Sequence, residues 1–208
     1  MKKLLAIVLL AAVALTLWGC TPVNDGQASE EALTSTLASI QEMTEKSYDS
    51  FNLTVTTKKD DITLKNQFKV RTEDGKTTVS YTVESLNKIS VENGALTVPD
   101  NMIKVSEGKV EIADGKTVLL NGEAVDINLE SVDKLALQFK ASYFESPSVK
   151  AASFFAKVTN PKAFTQNSAI DAQNMTVSVS FNTVKLQKLT LKYSLSTGES
   201  VTAEYMFL

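Results

Sequence analysis

Histidine is absent from the 208 residues, cysteine occurs once and arginine once. Without imidazole the chain lacks the usual neutral-pH base and the nitrogen ligand of most zinc and copper sites. Cys20 alone makes neither an intramolecular disulfide nor a cysteine metal cluster. A Ser–His–carboxylate triad and a Cys–His pair are both excluded. No Gly-rich phosphate loop and no G-x-S-x-G elbow is present. Arg71, the single guanidinium, leaves little for bidentate recognition of phosphate or carboxylate. With 21 Lys+Arg against 24 Asp+Glu, there is no basic surplus of the kind nucleic acid requires. The expectation is a non-enzymatic protein with no cofactor, no metal and no nucleic-acid partner.

What is present begins with a signal-like segment. Lys2-Lys3 precede an apolar stretch from Leu4 to Leu17, which ends at Leu17-Trp18-Gly19-Cys20. This segment resembles the bacterial lipoprotein signal, in which a small residue precedes a cysteine that is acylated and becomes the first mature residue. Leu17 and Gly19 fit that pattern; Trp18 is bulkier than the pattern prefers. The competing reading, an uncleaved span, sits at the short limit for crossing a bilayer. The resemblance implies lipidation at Cys20 by palmitate-type chains and an extracytoplasmic protein held to a bacterial membrane. In a host with two membranes, Thr21 after the cysteine implies the outer membrane; otherwise the anchor is in the cell membrane. Each buried methylene contributes ~0.8 kcal/mol, so two or three chains on one cysteine form a lasting tether to the lipid bilayer. The expected organisation is residues 1–19 as signal peptide, 20–28 as a flexible tether and 29–208 as one β-rich domain. Removing Lys2 and Lys3 brings the net charge near −5.

One helix is expected, then strands. Ser29 is a good N-cap with Glu30 and Glu31 in the first turn. Leu33, Leu37, Ile40 and Met43 or Thr44 follow at helical spacing, with the end expected near Ser47-Tyr48. From Phe51 the period changes to two. Phe51, Leu53 and Val55 alternate with polar residues, as do Ile62, Leu64, Phe68 and Val70, then Val79, Tyr81 and Val83. Asp60-Asp61 and Asp74-Gly75 mark the turns between them. The middle holds short runs separated by Asn93-Gly94, Glu107-Gly108, Asp114-Gly115 and Asn121-Gly122. These runs are Ala95–Val98, Met102–Val105, Val110–Ala113, Val118–Leu120 and Ala124–Ile127. Leu135, Leu137, Phe139, Ala141 and Tyr143 predict another alternating strand. Residues 149–158 fit a strand or a short helix, Asn160-Pro161 is a break, and 164–171 reads as a loop. Val177–Phe181, Leu189–Leu195 and Val201–Phe207 close the chain, with a turn at Thr197-Gly198.

Neighbouring strands lie ~4.8 Å apart, so seven strands span roughly 30 Å, whereas a helix is only ~10 Å wide. One helix cannot cover that apolar face. The fold class expected is mainly β (α+β), a strongly curved antiparallel sheet or half-barrel with one N-terminal amphipathic helix packed on its apolar face. Further cover must come from curling, from a second sheet or from residues 147–172. Space left unfilled would be an apolar cavity.

Acylated cysteine, short spacer, amphipathic helix and antiparallel meander, in that order, resemble the lipoprotein carrier and receptor LolA and LolB and the mycobacterial lipid-binding lipoproteins. The order is also similar to small Firmicute lipoproteins. The resemblance rests on residues 29–46 leading into Ser47–Leu53, and on the closing hairpin Leu189–Phe207. It implies a lipid or other apolar ligand and carries over no individual site residue. An acylated chain matches the receptor or an anchored lipid-binder better than the soluble carrier.

The candidate ligand-facing residues are Leu37, Ile40, Phe68, Tyr81, Phe139, Tyr193 and Tyr205; Phe51, Tyr143 and Phe207 belong to the same apolar set. Ordinary core packing accounts for the same pattern. Phe154 and Phe155 cannot both point inward from a regular strand; one of them is a candidate to face a cavity mouth, a partner or the membrane, against the competing reading of plain irregular packing. Asp126, Glu130 and Asp133 lack the twelve-position calcium loop and read as a solvated turn. Asp60-Asp61 beside Lys58-Lys59 reads as a charged hairpin tip. Two functions stand against each other: a membrane-anchored binder of a lipid or apolar ligand in the cell envelope, and a structural or protein-interaction lipoprotein with a closed core and an envelope protein partner.

Overall fold

A computed structural model of the chain describes residues 29–46, 48–87, 90–92, 95–97, 103–113, 116–122 and 135–208. Helix α1 (Glu30–Thr44) is followed by β1 (Ser50–Lys59), β2 (Ile62–Glu73) and β3 (Lys76–Asn87). Two three-residue strands, β4 (Ser90–Glu92) and β5 (Ala95–Thr97), pair only with each other. Then come β6 (Ile103–Ala113) and β7 (Lys116–Gly122). A 3-10 turn (Ala141–Tyr143) leads into β8 (Phe144–Lys150), β9 (Ser153–Val158), a short helix α2 (Pro161–Thr165), β10 (Ala172–Phe181), β11 (Leu186–Leu195) and β12 (Ser200–Phe207).

Ten strands form one antiparallel sheet in the order β7-β6-β3-β2-β1-β12-β11-β10-β9-β8. The chain therefore builds two meanders and joins them along β1 and β12, in register from Phe51 opposite Phe207 to Lys58 opposite Ser200. Directly paired residues share a face. One row can be followed across all ten strands: Gly122, Gly108, Tyr81, Phe68, Leu53, Tyr205, Leu189, Val179, Phe154 and Val149. Most of that row is buried, and it is the spine of a single core. The glycines in it have a purpose. A Cβ at Gly108 would overlap the Tyr81 hydroxyl, so the phenol ring lies over backbone where a side chain would otherwise stand.

The turns follow the expected chemistry. Asp74 and Gly75 both take positive φ (50° and 76°), as a two-residue hairpin demands. Asp60 takes φ 50° and Gly198 φ 91° in the turns after β1 and β11. Asn93-Gly94, Asp114-Gly115, Ala124–Ile127, the acidic residues 126, 130 and 133, and the signal segment with Cys20 lie outside the described residues.

Several expectations need correction. Glu107-Gly108 does not break the chain: Ile103–Val105 and Val110–Ala113 belong to one strand, because glycine in a strand also serves where a neighbouring ring approaches the backbone, and Met102 lies outside the described residues. Helix α1 stops at Thr44 with Glu45 as its cap, a turn before Ser47. The Tyr48 hydroxyl donates to the Met43 carbonyl (3.0 Å) and thereby takes up one of the acceptors that the helix end leaves open. Residues 135–143 are not a strand. Leu135–Lys140 is irregular and Ala141–Tyr143 is a 3-10 turn, held by Leu137 N–H donating to Leu135 O (2.7 Å), Gln138 N–H to Phe164 O (2.8 Å) and Phe139 N–H to Gln41 Oε1 (2.7 Å). Backbone groups satisfied by α1 and α2 have no need of a sheet ladder, and the alternating apolar side chains still turn inward: Leu137 and Phe139 are buried. Residues 144–158 resolve into the hairpin β8–β9, with Phe154 buried and Phe155 49% exposed.

Helix α1 approaches β8, β11 and the 3-10 turn, and its Leu37, Ile40 and Met43 are buried in the same apolar core as Leu189, Phe139 and Phe154. Polar bonds fix its place. Gln41 receives the Phe139 N–H as above, and Tyr48 Oη accepts the Leu186 N–H at 3.0 Å. Beside α1, four rings pack edge to face: Phe139 lies 5.4 Å from Phe164 and 6.2 Å from Phe154, and Phe144 lies 5.2 Å from Phe154.

Candidate functional site

The cover over the apolar face is uneven, and the gap in it is the candidate site. Asn160 caps α2 by accepting the Ala163 N–H (3.2 Å), with Pro161 at the first helical position. The pair read from sequence as a break is thus a helix start. Gln166 ends α2 in the left-handed region (φ 51°), and Asn167 Oδ1 accepts the Ala169 N–H (3.0 Å), folding the loop back over the sheet. This loop and the irregular stretch at Leu135–Leu137 stand as two rims.

Between the rims lies a half-open cavity of about 500 Å³. Its floor is Leu53 and Val55 of β1, Ala203 and Tyr205 of β12, and Leu191 and Tyr193 of β11, with Ile170 and Leu137 at the sides. The register explains the empty space. Ala203 is paired with both Val55 and Leu191, so the smallest side chain of the floor sits under the middle of the gap. Thr165, Gln166 and Asn167 give the rim its polarity.

Two phenols are the titratable groups of this lining. Burial, with Tyr193 nearby as a lesser cause, pushes the Tyr205 hydroxyl up to about 12. Burial also raises Tyr193. Both therefore stay neutral over the physiological range. Among the described residues the lining holds no carboxylate and no lysine, and with the Thr165 hydroxyl, the two phenols and the carboxamides of Gln166 and Asn167 it offers apolar contact and neutral hydrogen-bonding groups. It offers no pair of groups for acid–base chemistry.

Of the seven sequence candidates, Tyr193 and Tyr205 line this cavity. Leu37 and Ile40 of α1 and Phe139 of the irregular stretch are buried in the core, and Phe68 and Tyr81 are buried on β2 and β3. Phe51 packs with Phe207, whose ring centroid is 4.3 Å from that of Tyr48. Leu53, Val55, Leu191 and Ala203 were visible as inward positions of alternating strands, and the register of β1 on β12 is what selects them. Leu135 and Leu137 carried the inward alternation under the wrong element. Ile170 gave no signal.

A larger depression, about 670 Å³, lies on the polar face between Lys69, Arg71, Glu73, Lys76, Lys109 and Glu111. Its charges are mixed, Lys76 and Glu111 approach to 3.5 Å, and Arg71 already donates to the Phe51 and Val70 carbonyls and to Asn52 Oδ1. It is a solvated, self-neutralised surface. Among the described residues no group of three or more carboxylate or cysteine side chains is placed to hold a metal ion, and no helix is long and apolar enough to cross a membrane.

No family model and no curated protein sequence matches the chain. Among solved structures it is similar to a DUF1329 family protein from Desulfovibrio piger, at 10% identity over 86% of this chain and 92% of that one, with a TM-score of 0.27. It is also similar to a redesigned β-barrel, b11L5F_LGL (11% identity, 77% and 90% covered, TM-score 0.19), and to mFAP1, a redesigned β-barrel bound to DFHBI (11%, 74% and 91%, 0.19). At these scores the likenesses carry no argument about function.

Proposed function

We propose that this is a non-enzymatic lipoprotein, anchored outside the cytoplasm by acylated Cys20, that binds a lipid or other apolar ligand in the cell envelope. The observation that carries the reading is the half-open cavity over Ala203, walled by Leu53, Val55, Leu137, Ile170 and Leu191. Its volume falls in the usual range for small-molecule sites. In this reading the sheet is a half-barrel, with α1 against its apolar face at the β8–β11 end and the 135–137 and 165–170 rims as the walls of the ligand space. The tether would hold that space at a bilayer surface, from which an apolar molecule has no long aqueous path to cross. Native mass spectrometry and lipid extraction of the full chain taken from its own host membrane test the proposal. Co-purifying apolar mass is expected; protein that is consistently empty, with side chains occupying the whole of that space, would sink it.

A second reading, a protein-interaction lipoprotein with no ligand, is favoured by one observation. Val118, Leu119 and Leu120 of the sheet-terminal strand β7 are 54%, 43% and 49% exposed. An envelope protein partner would then pair with that edge.

A further inference from the structure

One buried polar atom has no account in the fold. Asn66 Oδ1, on β2, is buried and has no hydrogen-bond partner, the single such side-chain atom among the described residues. Its place is informative. Asn66 pairs directly with Val55 of β1, and on the other side with Val83 of β3. Paired residues share a face, so Asn66 stands on the apolar face, where its neighbours along β2 on that side are Leu64 and Phe68. Val55 is part of the cavity floor, and directly opposed Cβ atoms lie about 5 Å apart. The shielded carboxamide oxygen of this half-buried residue is therefore separated from the cavity by one side chain, that of Val55.

An orphaned buried acceptor has given up its hydration with nothing in return, and an apolar residue of the same size would avoid that loss. The stretch from Ile62 to Val70 otherwise alternates cleanly, and position 66 is where the apolar phase is broken. We propose that the ligand of this cavity carries a neutral hydrogen-bond-donating head, a hydroxyl or an amide N–H, which Asn66 Oδ1 accepts while the apolar body lies over Ala203. The inference rests on the apolar-binding reading above and narrows its ligand class. An ionised carboxylate head has no proton to give and meets the oxygen lone pairs with like charge. An ether has the same length and no donor.

The test uses the full chain with phosphatidylcholine nanodiscs doped, at equal mole fraction, with dodecanol, dodecyl methyl ether or dodecanoate. Bound probe is counted by native mass spectrometry. Dodecanol is expected to exceed the ether by roughly fivefold or more in the wild type, the factor that relief of one orphaned acceptor supplies. In Asn66→Leu the ratio should fall to about one, with the ether binding undiminished. Equal binding of alcohol and ether to the wild type would overturn the role of Asn66 and leave the apolar site standing. Dodecanoate ahead of dodecanol would overturn the donor-head assignment. No probe bound at all would remove the apolar-binding reading itself. Should Asn66→Leu fail to fold, the wild-type ratio decides alone.

Discussion

The phenol of Tyr205 makes the structure testable by pH alone. Its side chain sits on the cavity floor, and burial first, then Tyr193, pushes its ionisation from 10.0 up to about 12. In the unfolded chain the same group ionises near its ordinary value, so above that pH the unfolded state has lost a proton that the native state keeps. Stability is therefore fully present below about pH 10 and drains away as pH climbs toward 12. Two units of displacement correspond to about 3 kcal/mol in the limit, of which about 2 kcal/mol should be lost by about pH 12. Tyr48 and Tyr193 are also raised by burial and act in the same direction, so the wild-type curve alone does not isolate Tyr205. Tyr205→Phe does: it keeps the ring, which stacks at 8° on Phe207, and deletes the ionisable group. Urea unfolding at about pH 9 and about pH 12 should show the variant gaining about 2 kcal/mol on the wild type across that interval. Phenolate absorbance should show one fewer late-titrating tyrosine. Parallel alkaline curves for the two proteins would refute the burial argument, and with it the placement of Tyr205 in the cavity floor.

Phe164→Ala removes a fully buried ring that touches Phe139 and Phe144, and should cost about 3–5 kcal/mol by denaturant titration. Tyr48→Phe leaves the Leu186 N–H without its acceptor beneath α1 and should cost about 1–3 kcal/mol, visible as a lower urea midpoint at unchanged slope. Gly108→Ala drives a methyl into the Tyr81 phenol and should cost about 1–3 kcal/mol; paired with Tyr81→Ala, the total loss should fall short of the sum. Cys20→Ala should release the protein from membrane fractions or leave it as unprocessed precursor, as fractionation with gel mobility will show.

The fold was legible wherever side-chain period and turn chemistry spoke together. Phe51-Leu53-Val55 and Val201-Ala203-Tyr205 announced strands with one apolar face, and Asp74-Gly75 announced the hairpin between β2 and β3. What alternation cannot express is which distant strand lies alongside. Tyr193 and Tyr205 were within reach of inference, but Ala203 reads as an unremarkable small residue until β12 is laid beside β1. Leu135–Tyr143 misled for a related reason. Alternate burial requires only an extended chain over a core, and α1 and α2 satisfy its backbone as well as a ladder would. Asn66 was passed over because a polar residue in a strand is assumed to face water. The phase of Leu64 and Phe68 already sets it on the inward side, and the pairing with Val55 adds what lies beside it.

The seam between β1 and β12 has a kinetic consequence. Lys59 and Glu199, which bond across its end at 3.1 Å, are 140 residues apart along the chain. Within each meander the strands close over connections far shorter than that, even where β3 passes to β6 and β9 to β10, whereas zipping the two together requires one long closure, entropically on the order of 4 kcal/mol. As the polypeptide is made, β1 waits with half its ladder unsatisfied until β12 arrives. Slow, late zippering at the middle of the sheet, with both wings already formed, is the folding order this topology imposes, and a stalled or truncated chain would expose its stickiest edge at its centre.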